Sequence, residues 1–491
     1  MSSGPSTGSA GVELVPDSYI VTLQPKLGRA SYEKHFEDVY TACRGVLASD
    51  GAPAHVEMVY ADPIDGPEPQ AVMYFAHFPA SLAQVIGGRR DVADLHQEHL
   101  GLLRVAGTAP LRGYNWGTSR ISQTDAVFQT EWTNGANGVS GPPPEPEHFV
   151  HNALASRGGG ATVYVLDGGC DPTRFNVQGE FSAANLRRFI DLDAFHAHLR
   201  AIGATGIAPW LPWHWCKDWK QERLEAAEGH TEADTASFHG TNVSLCVGSS
   251  KRGTAPEARV VAMRIINAKA QTCAEKLIIS ALQIILDLKS LEADDRPSVV
   301  NCSWGMSFAS SQAQAAKKAM TDMFDKVNKL GVPIVVASGN DHQILTLDNT
   351  EHPSTHSRIS LSVPECLTYA YLVGGSDSKN KKWFDGPGDG SNYVDPTMPN
   401  QYKPKNPFIW APGKDIPGCV IENGCWKLKT GTSFAAPLVS GAMACLLAHE
   451  KAQMAQDPQH QARTLDQLLQ TVLRKKQVDG VDQDFLAWDE H

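Results

Sequence analysis

The chain is poor in cysteine, lacks any long apolar run and carries no excess of basic charge, and each shortage removes a class of protein. Ten cysteines among 491 residues, none in a CxxC pair, are too few for a disulfide scaffold. They read as buried free thiols. Cys419 and Cys425, either side of a short turn containing glycine, would bridge only under oxidation. No uninterrupted apolar stretch approaches the roughly 18 to 20 residues of a membrane span, so no membrane partner is expected. The net charge of -11 argues against a nucleic-acid partner, which would select a basic face. Met1 to Thr7 has neither a basic segment nor an apolar one and does not read as a secretory signal. Sequence alone therefore points to a cytoplasmic location.

What is present fits a globular protein. Hydrophobic residues at 42% and charged residues at 20% are ordinary, and the length allows a large core and two domains. Residues 1–13 are small and polar and read as a disordered tail. From Asp17 the pattern changes: Ser18 to Leu23 alternates like a strand, Ser31 to Leu47 has helical spacing, and Ala71 to Phe78 reads as a second strand. Ser81 to Leu103 reads as a helix broken at Gly87-Gly88, which completes a small α+β unit over 14–110. His96 and His99 would share one face of that helix. With no third ligand they read as solvated residues, and no metal site is expected.

A Gly- and Pro-rich stretch from Asn134 to Glu147 reads as a surface loop. Beyond it, β-branched runs alternate with helical segments. Ala161–Leu166, Arg259–Arg264, Ser298–Cys302 and Val332–Ala337 read as buried strands, and Ala274–Leu288 and Ser310–Leu330 as crossover helices. That alternation predicts an α/β fold over 111–491, with a parallel sheet and helices on both faces. Functional groups then belong at the carboxyl ends of strands, where Asp167 and Asn340 fall. An insert over about 183–230 interrupts the pattern. Within it Ala183–Ile202 reads as helix, and Trp210, Trp213, Trp215 and Trp219 read as a packed minicore or, alternatively, an aromatic lip on a cleft.

Three distant segments carry chemistry. Gly431-Thr432-Ser433-Phe434-Ala435-Ala436-Pro437 puts a serine among small residues at the start of an apolar helix. Pro437 falls in the first turn, where a missing N–H costs little. His239 opens His239-Gly240-Thr241, and Asp167 closes Val163-Tyr164-Val165-Leu166-Asp167. A serine hydroxyl is a weak nucleophile and needs a base. Histidine suits because its pKa lies near working pH, and a carboxylate fixes its tautomer and stabilises the imidazolium. The chain order Asp, His, Ser is one that hydrolytic triads use. Asn340, closing an apolar run at Ser338-Gly339-Asn340, places a side-chain amide where it would hold an oxyanion together with the Ser433 N–H.

Together these motifs resemble the subtilases, and within them the proteinase K-like branch. Gly431–Pro437 matches the GTSxAxP nucleophile motif, His239–Thr241 the histidine motif and Ser338–Asn340 the oxyanion motif. Asn301-Cys302-Ser303-Trp304-Gly305 resembles the N-x-S-x-G segment. The resemblance implies that Ser303, Trp304 and Gly305 bind substrate, with Trp304 reshaping the cleft wall. Trp116-Gly117…Arg120-Ile121 resembles the start of a mature domain, Ala411-Pro412-Gly413 the turn before the serine hairpin, and the unit from Tyr19 onward an I9 propeptide that chaperones folding and inhibits. Gly168 stands where the family has Ser or Thr, and Ala268–Gln271 where it has a Gly-rich edge that pairs with substrate. Phe408 occupies a position where the branch often has a calcium-binding Asp, so that calcium site is not expected and no cofactor is assigned.

The resemblance implies a monomeric serine endopeptidase made as a zymogen, acting on peptide or protein substrates and cutting itself in the Arg104–Tyr114 region. Family members are mostly secreted or vacuolar, which stands as an alternative to the cytoplasm. Two other readings remain open at this point: a peptide ligase or macrocyclase, with the Trp-rich insert excluding water, and a binding protein that keeps the motifs without catalysis.

Overall fold

A computed structural model describes residues 13–62, 71–102, 156–170, 186–192, 239–250, 253–267, 272–291, 295–306, 314–346, 358–360, 363–377, 380–401, 403–422, 425–478 and 481–486. Residues 1–12 of the N-terminal tail, the Gly/Pro-rich loop, the Arg104–Tyr114 and Trp116–Ile121 regions and the Trp210–Trp219 segment lie outside the described residues, while Glu13, read as the end of the tail, opens a strand.

The N-terminal unit contains β1 (Glu13–Leu23), α1 (Arg29–Cys43), β2 (His55–Asp62), β3 (Ala71–His77), α2 (Ala80–Gly87) and β4 (Val92–Leu102). Here the sequence reading of Ser81–Leu103 as one broken helix is corrected. The helix stops at Gly87, and the remainder is a strand pairing antiparallel with β1. His96 and His99 therefore lie on a strand. Tyr19, Val21, Tyr32, Phe36, Val56, Tyr74, Phe78 and Ile86 form the core of this unit.

The larger unit follows with β5 (Thr162–Asp167), β6 (Leu186–Asp191), α3 (His239–Gly248), β7 (Arg259–Arg264), β8 (Ile266–Asn267), β9 (Thr272–Ala274), α4 (Glu275–Leu291) and β10 (Ser298–Cys302). Next come α5 (Gln314–Lys329), β11 (Ile334–Ala337), β12 (Ile344–Thr346), β13 (Arg358–Ser360), β14 (Tyr371–Ser376), β15 (Phe384–Gly386), β16 (Asp389–Gly390) and β17 (Phe408–Pro412). The chain ends with β18 (Ile416–Glu422), β19 (Cys425–Lys429), α6 (Thr432–Gln456), α7 (Leu465–Leu469), β20 (Leu473–Val478) and β21 (Val481–Leu486). Cys419 and Cys425 thus fall on the two strands of the β18–β19 hairpin.

A nine-stranded sheet in the order β20-β21-β17-β14-β11-β10-β5-β7-β6 forms the centre. Its pairs are parallel except β20–β21, as the strand–helix alternation implied. β-Branched runs suit strands buried on both faces. Every described residue of β5, β7 and β10 is buried. Alternate residues feed two cores. Tyr164, Leu166, Met263 and Val300 pack with α4 and α5, while Val163, Val165, Val260 and Val299 pack with α3, α6 and α7. Helix α6 is long and apolar enough to cross a membrane, but 89% of that stretch is buried inside the protein. It is the central core helix. Residues 186–191, expected to be helical, form the edge strand β6.

The two units meet along a shared sheet, ordered β2-β3-β1-β4-β9-β8. Leu100 and Leu102 on β4 pair antiparallel with Ala274 and Thr272, next to the Ala268–Gln271 segment that is itself outside the described residues. The seam is charged. Lys276 Nζ lies 3.2 Å from both Glu57 and Glu98 and donates to Ser18 Oγ at 3.2 Å. The Lys276 backbone N–H at the start of α4 donates to Glu98 Oε1. Lys276, Glu57 and Glu98 are all buried. A lysine removed from such a pair leaves the carboxylates uncompensated in a low-dielectric seam, at about 3–5 kcal/mol. Lys276→Met is expected to lower the stability of the whole chain by that amount, read from chemical denaturation. Adding Glu57→Gln and Glu98→Gln should recover part of the loss. An unchanged denaturation midpoint in the single variant would show that the seam carries no net pairing energy.

His96 on β4 reaches across the seam too. Its Nδ1 faces Asp94 at 2.8 Å and its Nε2 faces Glu275 on α4 at 3.1 Å, with His99 Nδ1 3.8 Å from Glu275. Burial would depress the His96 imidazole, but the hydrogen bonds to Asp94 and Glu275 outweigh it and raise its pKa from 6.5 to about 9. Burial would raise the Glu275 carboxyl, and His96 with His99 holds it below its ordinary value. Because the folded pKa of His96 is the higher one, its contribution is fully present below 6.5 and is lost as pH rises through about 9. The Glu275 contribution has the opposite sign and is lost on acidification. The gap in thermal midpoint between the wild-type chain and His96→Gln is therefore expected to close between pH 6.5 and about 9. A gap that stays constant or widens would contradict the pairing.

Candidate active site

The carboxyl end of β5 delivers Asp167, fully buried. Its Oδ1 accepts the Gly168 N–H at 2.7 Å and faces His239 Nδ1 at 2.8 Å. Gly168, a departure from the expected Ser or Thr, thus holds the carboxylate with its backbone. Trp304 Nε1 donates to the Leu166 carbonyl at 2.7 Å and steadies the strand end from the other side.

His239 is the first residue of α3, and Gly240 explains how the helix comes so close. A Cβ on Gly240 would stand 2.2 Å from the Gly169 carbonyl oxygen and 2.9 Å from the Gly168 nitrogen, so any larger residue would push α3 off the Asp167 loop. The imidazole also packs against Phe434, with ring centroids 5.4 Å apart. That contact brings it beside the residue after Ser433.

Ser433 lies in the first turn of α6 and is 1% exposed. Its hydroxyl donates to the Ser303 carbonyl at 3.0 Å, and the Ser303 hydroxyl donates to the Ser433 carbonyl at 2.8 Å. Asn340 follows β11. Its Oδ1 accepts from the Thr432 N–H at 2.9 Å and from Thr432 Oγ1 at 3.0 Å, while Thr432 Oγ1 accepts from the Gly339 N–H at 3.1 Å. Two donors on Oδ1 fix the amide orientation and turn Nδ2 the other way. Asn392 supports the same loop by accepting from the Asp341 and Gln343 N–H groups at 3.0 and 2.9 Å. Gly339 has φ of +96°, and a Cβ there would lie 2.4 Å from Asn392 Nδ2. Glycine is required on both counts.

The structure therefore brings together Asp167, His239, Ser433, Asn340 and Ser303. Gly305 follows at the same strand end and is buried. Trp304 is a correction: its indole is 1% exposed within the core, so its side chain does not wall a cleft. Asn392 escaped the sequence reading, and Thr432 and Asn301 entered it only as members of motifs, with no role of their own. Thr432 could have been found as a hydroxyl next to Ser433. Asn392 offers no local signal, because its partners are about fifty residues away. The Trp-rich segment on which the ligase reading rested lies outside the described residues.

A model of the subtilase family matches residues 158–485. The subtilisin-like serine protease Pen ch 13 of Penicillium rubens is 24% identical over 448 residues, 90% of this chain and 85% of that protein. Subtilisin-like protease 7 of Trichophyton equinum is 23% identical over 449 residues, 89% of this chain and 83% of that one. A solved cold-adapted subtilisin-like serine proteinase aligns at 19% identity and a TM-score of 0.43, covering 76% of this chain and 97% of its own. The family match spans most of the chain and takes in the carboxylate, imidazole and hydroxyl just described, so this protein belongs to the subtilase family and is a serine-type endopeptidase.

Proposed function

We propose that Asp167, His239 and Ser433 form the catalytic triad, and that the N-terminal unit is the propeptide of a zymogen that matures at its own active site. The observation that carries the triad is the buried 2.8 Å contact of His239 Nδ1 with Asp167, in an imidazole packed against the residue next to Ser433. A carboxylate on Nδ1 fixes Nε2 as the basic nitrogen. In the reaction the Ser433 hydroxyl turns from the Ser303 carbonyl to His239 Nε2, loses its proton and attacks the scissile carbonyl. The Ser433 N–H, at the positive end of α6, and Asn340 Nδ2 hold the oxyanion. His239 then protonates the leaving amine, and water releases the acyl group by the reverse path. The propeptide reading rests on β4, which pairs antiparallel with β9 and so joins the β8–β9 hairpin of the larger unit to the N-terminal sheet.

The test is labelling with a fluorophosphonate followed by peptide mapping. The phosphonyl group is expected on Ser433 and on no other serine. A mature protein that fails to label, or labels elsewhere, would refute the triad.

A further inference from the structure

Pro437 is the sixth residue of α6, past the first turn in which the sequence reading placed it, and Ser433 stands four residues before it. In a regular helix the Ser433 carbonyl would accept from the N–H of residue 437. Proline has no N–H, and its ring crowds the carbonyl four residues back, which here is that of Ser433. The carbonyl of this residue is thus deprived of its helical donor in a buried place, where an unpaired acceptor is costly.

The donor comes from another element. Ser303 Oγ, just past β10, reaches the Ser433 carbonyl at 2.8 Å. Behind it Asn301 Nδ2 donates to Ser303 Oγ at 3.0 Å, and the one hydrogen of Ser440 Oγ on α6 is shared between Asn301 Oδ1 at 3.0 Å and the Ala436 carbonyl at 3.1 Å. All four residues are buried. The proton directions follow from the chemistry. With an amide hydrogen aimed at its oxygen, the one hydrogen of the Ser303 hydroxyl goes to Ser433. Ser303 holds Ser433 twice, since its own carbonyl accepts from Ser433 Oγ.

We infer that Ser303, oriented by Asn301 and Ser440, is a positioning residue that replaces the helical hydrogen bond Pro437 removes and so fixes the backbone from which Ser433 attacks. This rests on the reading of Ser433 as nucleophile. The role differs from contact with substrate, because it acts through the nucleophile's own carbonyl. A chain leaving α6 at Ser440 and returning to it at Ser433 ties the catalytic turn to β10, the strand beside the one that carries Asp167.

The experiment is a kinetic cycle on Ser303→Ala, Pro437→Ala and the double variant, each checked for folding by circular dichroism. Ser303→Ala is expected to lower kcat by about tenfold to a hundredfold, since small displacements of a reacting group cost that much. KM should stay within about twofold, because the loss is in the reacting geometry. In the double variant the new N–H at position 437 takes the Ser433 carbonyl, so its loss is expected to be smaller than the product of the two single losses. Wild-type kcat in Ser303→Ala, or a double-variant loss as large as or larger than that product, would overturn the inference. If Ser303→Ala does not fold, Ser303→Cys keeps a weak donor. An intermediate kcat is expected there, and wild-type kcat would again overturn the inference. Failure of the nucleophile assignment shows separately, as activity surviving in Ser433→Ala.

Discussion

Ser433→Ala is expected to lower kcat by about six orders of magnitude, the size of the loss in subtilisin, the family's type member. On the proposed triad, the substitution deletes the atom that bonds to the scissile carbon, so His239 and Asp167 would have nothing to activate. What survives is the oxyanion hole and substrate binding, worth about 10³–10⁴ over water. The fold should hardly change. Ser433 Oγ donates one hydrogen bond, to the Ser303 carbonyl, and losing it costs about 1 kcal/mol. The same variant reads out maturation. If the chain cuts itself, pure Ser433→Ala keeps its full-length mass while the wild type does not. Residual kcat above about 1% of wild type would assign the chemistry to another group.

Asp167→Asn is expected to lower kcat by about three to four orders of magnitude. The physical cause can be narrowed from the geometry. Asp167 Oδ1 accepts the Gly168 N–H, so an asparagine there keeps its carbonyl oxygen at that point, still facing His239 Nδ1. The tautomer is then preserved. What disappears is the negative charge that, in the proposed mechanism, stabilises the imidazolium formed when Ser433 gives up its proton. The loss should therefore sit in kcat, with KM little altered. A variant within tenfold of wild-type kcat would mean that the buried carboxylate does not act on His239.

Much of this was legible in the residues. The runs 259–264 and 298–302 are strands over those same spans, because a β-branched segment buried on both faces leaves few alternatives. The family was legible in the motifs around Asp167, His239 and Ser433, because such chemistry demands particular residues at particular turns. The errors have a common origin. Strand β4 was read as helix because its buried positions include His96 and Glu98, which face Glu275 and Lys276. An apolar-periodicity argument cannot see a strand whose inward face is charged. Strand β6 shows the other failure. Leu186, Phe189 and Ile190 have helical spacing, yet an irregularity in register between Leu186 and Arg188 shifts the alternation by one residue. Trp304 was placed on a cleft by resemblance. The structure spends its indole on the Leu166 carbonyl, a partner 138 residues away that no local pattern reveals.

The central position of α6 has a consequence for how the enzyme ages. Its first turn carries Ser433, and the rest of it is the hub of one of the two cores. Fraying of a surface loop cannot displace Ser433 on its own. The turn that bears it moves only when the helix's packing opens, which is close to the cost of losing the whole fold. Inactivation at high temperature should therefore follow the rate of global unfolding, and the useful lifetime of the enzyme is set by that barrier.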